Sequence, residues 1–204
     1  MSMYLVDETE LPVSALPMAE FRAHLRLGTG FTEDSLQDSV LEGFLRAAIA
    51  SVETRCSKVL IARVVTWRMR DWRDPEVQVL PLAPVTSVEA VRLLDGAELP
   101  TEVASSAYRL DMDAHYPMLR AVGVCLPAPV SGGQVEVVAT VGFAARWSDV
   151  PADLQQAVLM LAAHYYEYRN EVSLGGGCMP FGVTSLIARY RRLSIGRMGL
   201  EGMS

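Results

Sequence analysis

Residues 32–56 read TEDSLQDSVLEGFLRAAIASVETRC, and this stretch sets the architecture. Its apolar residues are Leu36, Val40, Leu41, Phe44, Leu45, Ala48, Ile49 and Val52. Steps of three and four give a stripe about 100° wide, the mark of a helix that packs one face on a core. Thr32 is placed to cap the helix, and Glu33 and Asp34 put negative charge in its first turn, where the helix dipole favours it. A helix with one apolar face needs a partner. The nearest upstream candidate, PMAEFRAHLRLG at 17–28, opens on Pro17, carries Phe21 and Leu25 on one face, and stops at Gly28. The other candidates lie more than ninety residues downstream.

Between them the pattern changes. From residue 60 to residue 142 the chain falls into short alternating runs punctuated by Pro75, Pro81, Pro84, Pro100, Pro117, Pro127 and Pro129, which exclude a helix through the region. VVTWRMRDW places Val65, Trp67, Met69 and Asp71 on one strand face and Thr66, Arg68, Arg70 and Trp72 on the other. SVEAVRLL, an Asp95-Gly96 turn and AELP read as a hairpin. AYRLD, MLRAVGV and QVEVVATVGF supply further strands, with a turn at Gly132-Gly133. Helical spacing resumes at Pro151, with Leu154, Ala157, Val158, Leu161, Ala162 and Tyr165 as the inner face. Gly175, Gly176 and Gly177 form a loop, and a short fourth helix follows from Val183 to Leu193 with Leu186, Ile187 and Tyr190 apolar. The expected fold is therefore α+β. A helical bundle of two N-terminal and two C-terminal helices carries an inserted small antiparallel β-subdomain at 60–142. The whole of 1–204 forms one domain, with 194–204 as a flexible tail.

Composition narrows the function. Of 204 residues half are hydrophobic and 21% charged, as in ordinary globular proteins. No apolar run reaches the roughly 18 residues of a membrane span, and the start, MSMYLVDETE, does not read as a signal peptide, so synthesis in the cytoplasm and no membrane partner are expected. The net charge of -6 argues against a protein that coats nucleic acid. Charge is unevenly spread: Asp7, Glu8 and Glu10 make the start acidic, and Arg189, Arg191, Arg192 and Arg197 outnumber Glu201 at the end. Lys58 is the only lysine among 18 basic residues.

Catalytic constellations are not evident. Cys56, Cys125 and Cys178 form no CxxC pair and read as free thiols. His24, His115 and His164 stand alone, and Asp111 and Asp113 lack the spacing of a calcium loop. GGGCMPFG matches neither a P-loop nor a dinucleotide fingerprint. The expectation is no enzyme, no cofactor and no metal. The basic run at Arg189, Arg191 and Arg192 suits a helix end, an acidic docking partner or phosphate contact. A DNA-binding helix-turn-helix built from the first two helices is the alternative reading, but TEDSLQDS is acidic where phosphates would lie.

Several segments in order resemble one family. EFRAHLRLG precedes the long helix, which runs into VETRCSKVLIARVVTWRM. PLAPVTSVEAVRLLDGAEL, YRLD and DVPADLQQAVLMLAAHYYEYRNEV follow, and PFGVTSLIARYRR ends the series. Together, over residues 17–193, they resemble head–tail connector (adaptor) proteins of tailed phages and of phage-derived gene transfer agents. The resemblance implies a structural subunit in the neck of a phage-like particle, self-assembled as a ring of twelve. The ring would sit between the portal protein and a stopper or tail-completion protein, with double-stranded DNA passing transiently through its lumen. An acidic chain would not hold that duplex tightly. The portal contacts expected from it are Leu186, Ile187, Tyr190, Arg191 and Arg192, and deleting 183–204 is expected to abolish docking while sparing the fold.

Overall fold

A computed structural model describes residues 3–27, 35–169 and 179–192. The long helix of the sequence reading is α2 (Ser35–Cys56). It buries Leu41, Leu45, Ala48, Ile49 and Val52 almost completely, with Phe44 partly covered. Val40 departs from the expected stripe and stands 46% exposed. Ahead of it, α1 (Met18–His24) follows Pro17 and plugs Phe21 into the same core. Burying a side chain of that size contributes about 1.5–3 kcal/mol. Thr32, Glu33, Asp34, Gly28, the glycine loop at 175–177 and the tail at 194–204 lie outside the described residues.

The distant partner is α3 (Ala152–Glu167), which buries Leu154, Ala157, Val158, Leu161 and Ala162 as its spacing requires. It packs against α2: Phe44 meets the Tyr166 ring edge-on at 6.1 Å, and Ser51 Oγ lies 3.1 Å from the Tyr165 hydroxyl. The final helix is shorter than expected. It spans α4 (Phe181–Ile187) and tightens into a 3₁₀ turn at Ala188–Tyr190.

The intervening chain makes two antiparallel sheets where one was expected. The strands are β1 (Tyr4–Glu8), β2 (Arg63–Met69), β3 (Val77–Val79), β4 (Val85–Leu94), β5 (Pro100–Glu102), β6 (Tyr108–Asp111), β7 (Met118–Ala121) and β8 (Gln134–Val141). The larger sheet has the order β1-β2-β8-β4-β5, and the smaller β3-β7-β6. Alternation explains the second core: Val65, Trp67 and Met69 of β2 and Val135, Val137, Ala139 and Val141 of β8 all point inward. Trp72, expected on the outer face, is buried, because the strand stops at Met69 and the turn beyond it carries the indole in, where Nε1 donates to Pro127 O at 2.7 Å. The hairpin between β4 and β5 forms, but its left-handed residue is Glu98 (φ 61°), not Gly96, and Asp95 Oδ1 accepts from the Ala97 and Leu99 amides. Gly142 is required as glycine: its φ is +144°, and a Cβ there would fall 2.5 Å from Ala62 Cα.

Seven of the eight described strands fall within 60–142. The eighth, β1, was not anticipated. It comes from the N-terminus and pairs with β2 at the sheet edge.

Candidate functional site

The C-terminal segment 179–192 is where the sequence placed its docking residues, and the structure seats it on both halves of the molecule. Pro180 precedes α4 in extended conformation, and its carbonyl accepts the Thr184 amide at 3.1 Å. Val183 and Ile187 are fully buried in the helical core. Cys56 Sγ lies 4.0 Å from Ile187 O, and burial pushes that thiol up to about 11, so it stays protonated and packs as a small apolar group.

Tyr190 is also nearly buried. Its ring meets Phe143 edge-on at 5.7 Å, its hydroxyl donates to Asp153 Oδ1 at 2.8 Å, and burial raises its phenol above the ordinary range. Arg189 stacks on the same ring at 4.8 Å and pairs with Asp153 Oδ2 at 2.8 Å. Arg192 turns the other way, toward the sheets. Its Nε donates to His115 O at 2.7 Å and its Nη2 to Leu80 O at 3.0 Å, with the guanidinium 5.1 Å from the Tyr116 ring centre. Beside it the sole lysine is 1% exposed: Lys58 Nζ donates to Ala114 O and lies 3.4 Å from His115 Nδ1. Burial first, and then the Arg192 charge, lower the Lys58 pKa to about 8.

The five expected contacts therefore divide. Ile187 and Tyr190 face inward and hold the segment on the body, so they do not present a surface. Leu186 is partly buried against the core, Arg192 is half-buried on backbone carbonyls, and Arg191 is exposed with no ion pair among the described residues. Removing 183–204 would strip Val183 and Ile187 from the helical core, so the expectation that such a deletion spares the fold is corrected.

A second charged junction, unforeseen from sequence, closes the other side. Arg63 on β2 forms a two-pronged pair with Glu53 on α2 (Nη1–Oε1 3.0 Å, Nη2–Oε2 2.7 Å) and a third bond to Glu8 of β1. Glu53 Oε1 also accepts the Leu60 amide at 2.7 Å.

Asp111 and Asp113, weighed above for calcium, have structural partners. Asp111 pairs with Arg120 and Arg109, and Asp113 Oδ1 accepts the His115 and Tyr116 amides at 2.7 and 2.6 Å. Among the described residues no three His, Cys, Asp or Glu side chains converge as a metal site, and no helix is long and apolar enough to cross a membrane. What the segment offers is an anchored base, an exposed cation and a covered seam, the features of a structural element.

That class, a structural assembly component with an α+β body, is the one the comparisons return. A chain in the neck of an empty gene transfer agent particle, computed with C6 symmetry, matches with TM-score 0.85 and 47% identity, over 97% of this chain and 100% of that one. A chain of the native gene transfer agent virion matches with TM-score 0.81 and 47% identity, over 97% and 100%. One from the native neck computed with C12 symmetry gives TM-score 0.80 and 44% identity, over 97% and 100%. No family model and no curated protein matches. The chain belongs to the family of neck proteins of gene transfer agent particles; it is a structural component of the head–tail connector type and not an enzyme. The helix-turn-helix alternative is not favoured: Asp38, in the first turns of α2, is an acidic residue paired with Arg22 of α1.

Proposed function

We propose that the protein is the adaptor subunit of the neck. In this reading twelve copies form a ring between the portal and the stopper or tail-completion protein, and double-stranded DNA passes through the lumen. The observation that carries it is the end-to-end likeness, with 100% of the matched chain covered, to a component of a native neck computed with C12 symmetry. A closed ring of identical subunits uses the same head-to-tail contact at every step. The docking segment is 179–204. Ile187, Tyr190 and Arg192 fix its base on the body, and Leu186 and Arg191, with the residues that follow, reach the portal. The test is electron microscopy of the purified chain mixed with the portal ring encoded beside it. A coaxial added ring of twelve copies is expected, and its loss in Arg191→Glu with an unchanged melting curve would support the docking surface. A competent portal that gains no density would overturn the reading.

A further inference from the structure

Turns at the end of a sheet are ordinarily among the loosest parts of a fold. The turn that joins β6 to β7, residues 112–117, is instead tied down from three directions. Asp113 Oδ1 accepts the His115 and Tyr116 amides at 2.7 and 2.6 Å and sets its shape. Lys58, just past the end of α2, donates from Nζ to Ala114 O. Arg192, from the C-terminal segment, donates from Nε to His115 O at 2.7 Å and lies 5.1 Å from the Tyr116 ring centre. Two long cationic side chains, Lys58 only 1% exposed, are thus ordered to hold one surface turn. That ordering costs side-chain entropy and desolvation, and what it fixes is a surface.

The surface is apolar. Met112 is 73% exposed and Tyr116 39%, one on each side of the clamped Ala114 and His115. Methionine and tyrosine are enriched in protein interfaces relative to the rest of a protein's surface. A rigid turn offers them without the ordering cost that a loose one incurs on binding.

The same clamp fixes where the C-terminal segment leaves the body. Arg192 is the last described residue, and residues 193–204 follow it. Its side chain is bonded to the turn, so its backbone stands within one side-chain length of His115. A partner that takes up the end of the segment therefore approaches over residues 112–116. The opposite end of the same hairpin, where Tyr108 pairs with Ala121, leads to Val122 and Val124, 61% and 90% exposed. Exposure does not separate the two ends; the Arg192 clamp does.

We propose that Met112 and Tyr116 belong to the portal contact and seat in an apolar hollow of the portal subunit that receives the C-terminal segment. Lys58 and Arg192 act as positioning residues for them. This contact rests on the adaptor reading above and extends it to a surface outside that segment. The occupant is the portal because the turn is continuous, through Arg192, with the segment that docks there.

The experiment uses the full-length chain and portal rings from the same gene cluster, with portal affinity measured on labelled chain and the added ring scored by electron microscopy. Met112→Asp, Met112→Leu and Val124→Asp are solvent-exposed changes whose melting temperatures are expected to match wild type. Met112→Asp is expected to lower portal affinity about tenfold or more, as loss of an interface anchor does. Met112→Leu, similar in volume and apolar, is expected to retain it. Val124→Asp, which adds the same charge beyond the far end of the hairpin, is expected to leave it unchanged. Wild-type affinity in Met112→Asp, or an equal loss in Val124→Asp, would overturn this contact and leave the adaptor reading standing. A competent portal that the wild-type chain does not bind would overturn both.

Discussion

Two seams join the helical bundle to the sheets, and they are built on opposite principles. On one, Arg63 sits between Glu53 and Glu8, a cation matched by carboxylates. On the other, Lys58 and Arg192 are both cations and are satisfied by the carbonyls of Ala114, His115 and Leu80. The first cancels its charge within the fold. The second keeps two like charges together in a covered place, balanced by backbone dipoles and by Asp113 nearby. Matched charge makes a fixed joint, whereas carbonyl-bound cations make one that responds to protonation. The responsive joint is the one that holds the C-terminal segment 179–192.

The comparison breaks most readily at the matched seam. Glu53→Ala leaves Arg63 with Glu8 as its one carboxylate partner and the Leu60 amide without its acceptor, and is expected to cost about 3 kcal/mol in a urea titration. At the carbonyl seam, Arg192→Ala removes two charged hydrogen bonds and is expected to cost about 2 kcal/mol. It should also speed amide exchange in 179–192 more than in α2.

Acidity distinguishes the seams further. Lys58 titrates at about 8 in the fold against 10.5 ordinarily, so between those values the unfolded chain binds more protons and stability rises with pH. Denaturant midpoints should climb from pH 7 to pH 9, above which the raised Cys56 thiol begins to offset the gain, and Lys58→Met should flatten the climb. Tyr190→Phe, which loses the bond to Asp153 and the one accepted from Arg189, is expected to cost about 1 kcal/mol by thermal melting. Smallest of all, Arg191→Ala is expected to stay within about 0.5 kcal/mol of wild type while weakening portal binding.

The helices were legible because their information is local. The spacing of Leu41, Leu45, Ala48 and Val52 is matched by Leu154, Val158 and Leu161, and the two faces bury each other. Strand alternation was equally plain in Val65, Trp67 and Met69. What could not be read depends on ends and on distant partners. Tyr4–Glu8 alternates no core residue, since four of its five positions are exposed, so nothing in its pattern announces a strand. Trp72 followed the alternation only until the strand ended. Of the candidate site, the segment was visible as a basic, apolar helix, but the inward turn of Ile187 and Tyr190 depends on the α3 face that receives them. The Glu53–Arg63 pair had a trace in sequence, a charge at each end of the helix-to-strand connection. Lys58 had another, a single lysine in an arginine-rich chain.

The middle of the large sheet is its latest strand. β8 stands between β2 and β4, pairing Thr66 with Val138 and Val91 with Val137, although it follows both in the chain. The long helix waits in the same way for α3, which begins at Ala152. Neither core can close until β8 and α3 have left the ribosome. Such non-local pairing slows folding and leaves apolar surface exposed in the meantime. Both cores therefore mature together once those elements emerge, and a chain interrupted before Gln134 is expected to be cleared by proteases instead of entering a particle.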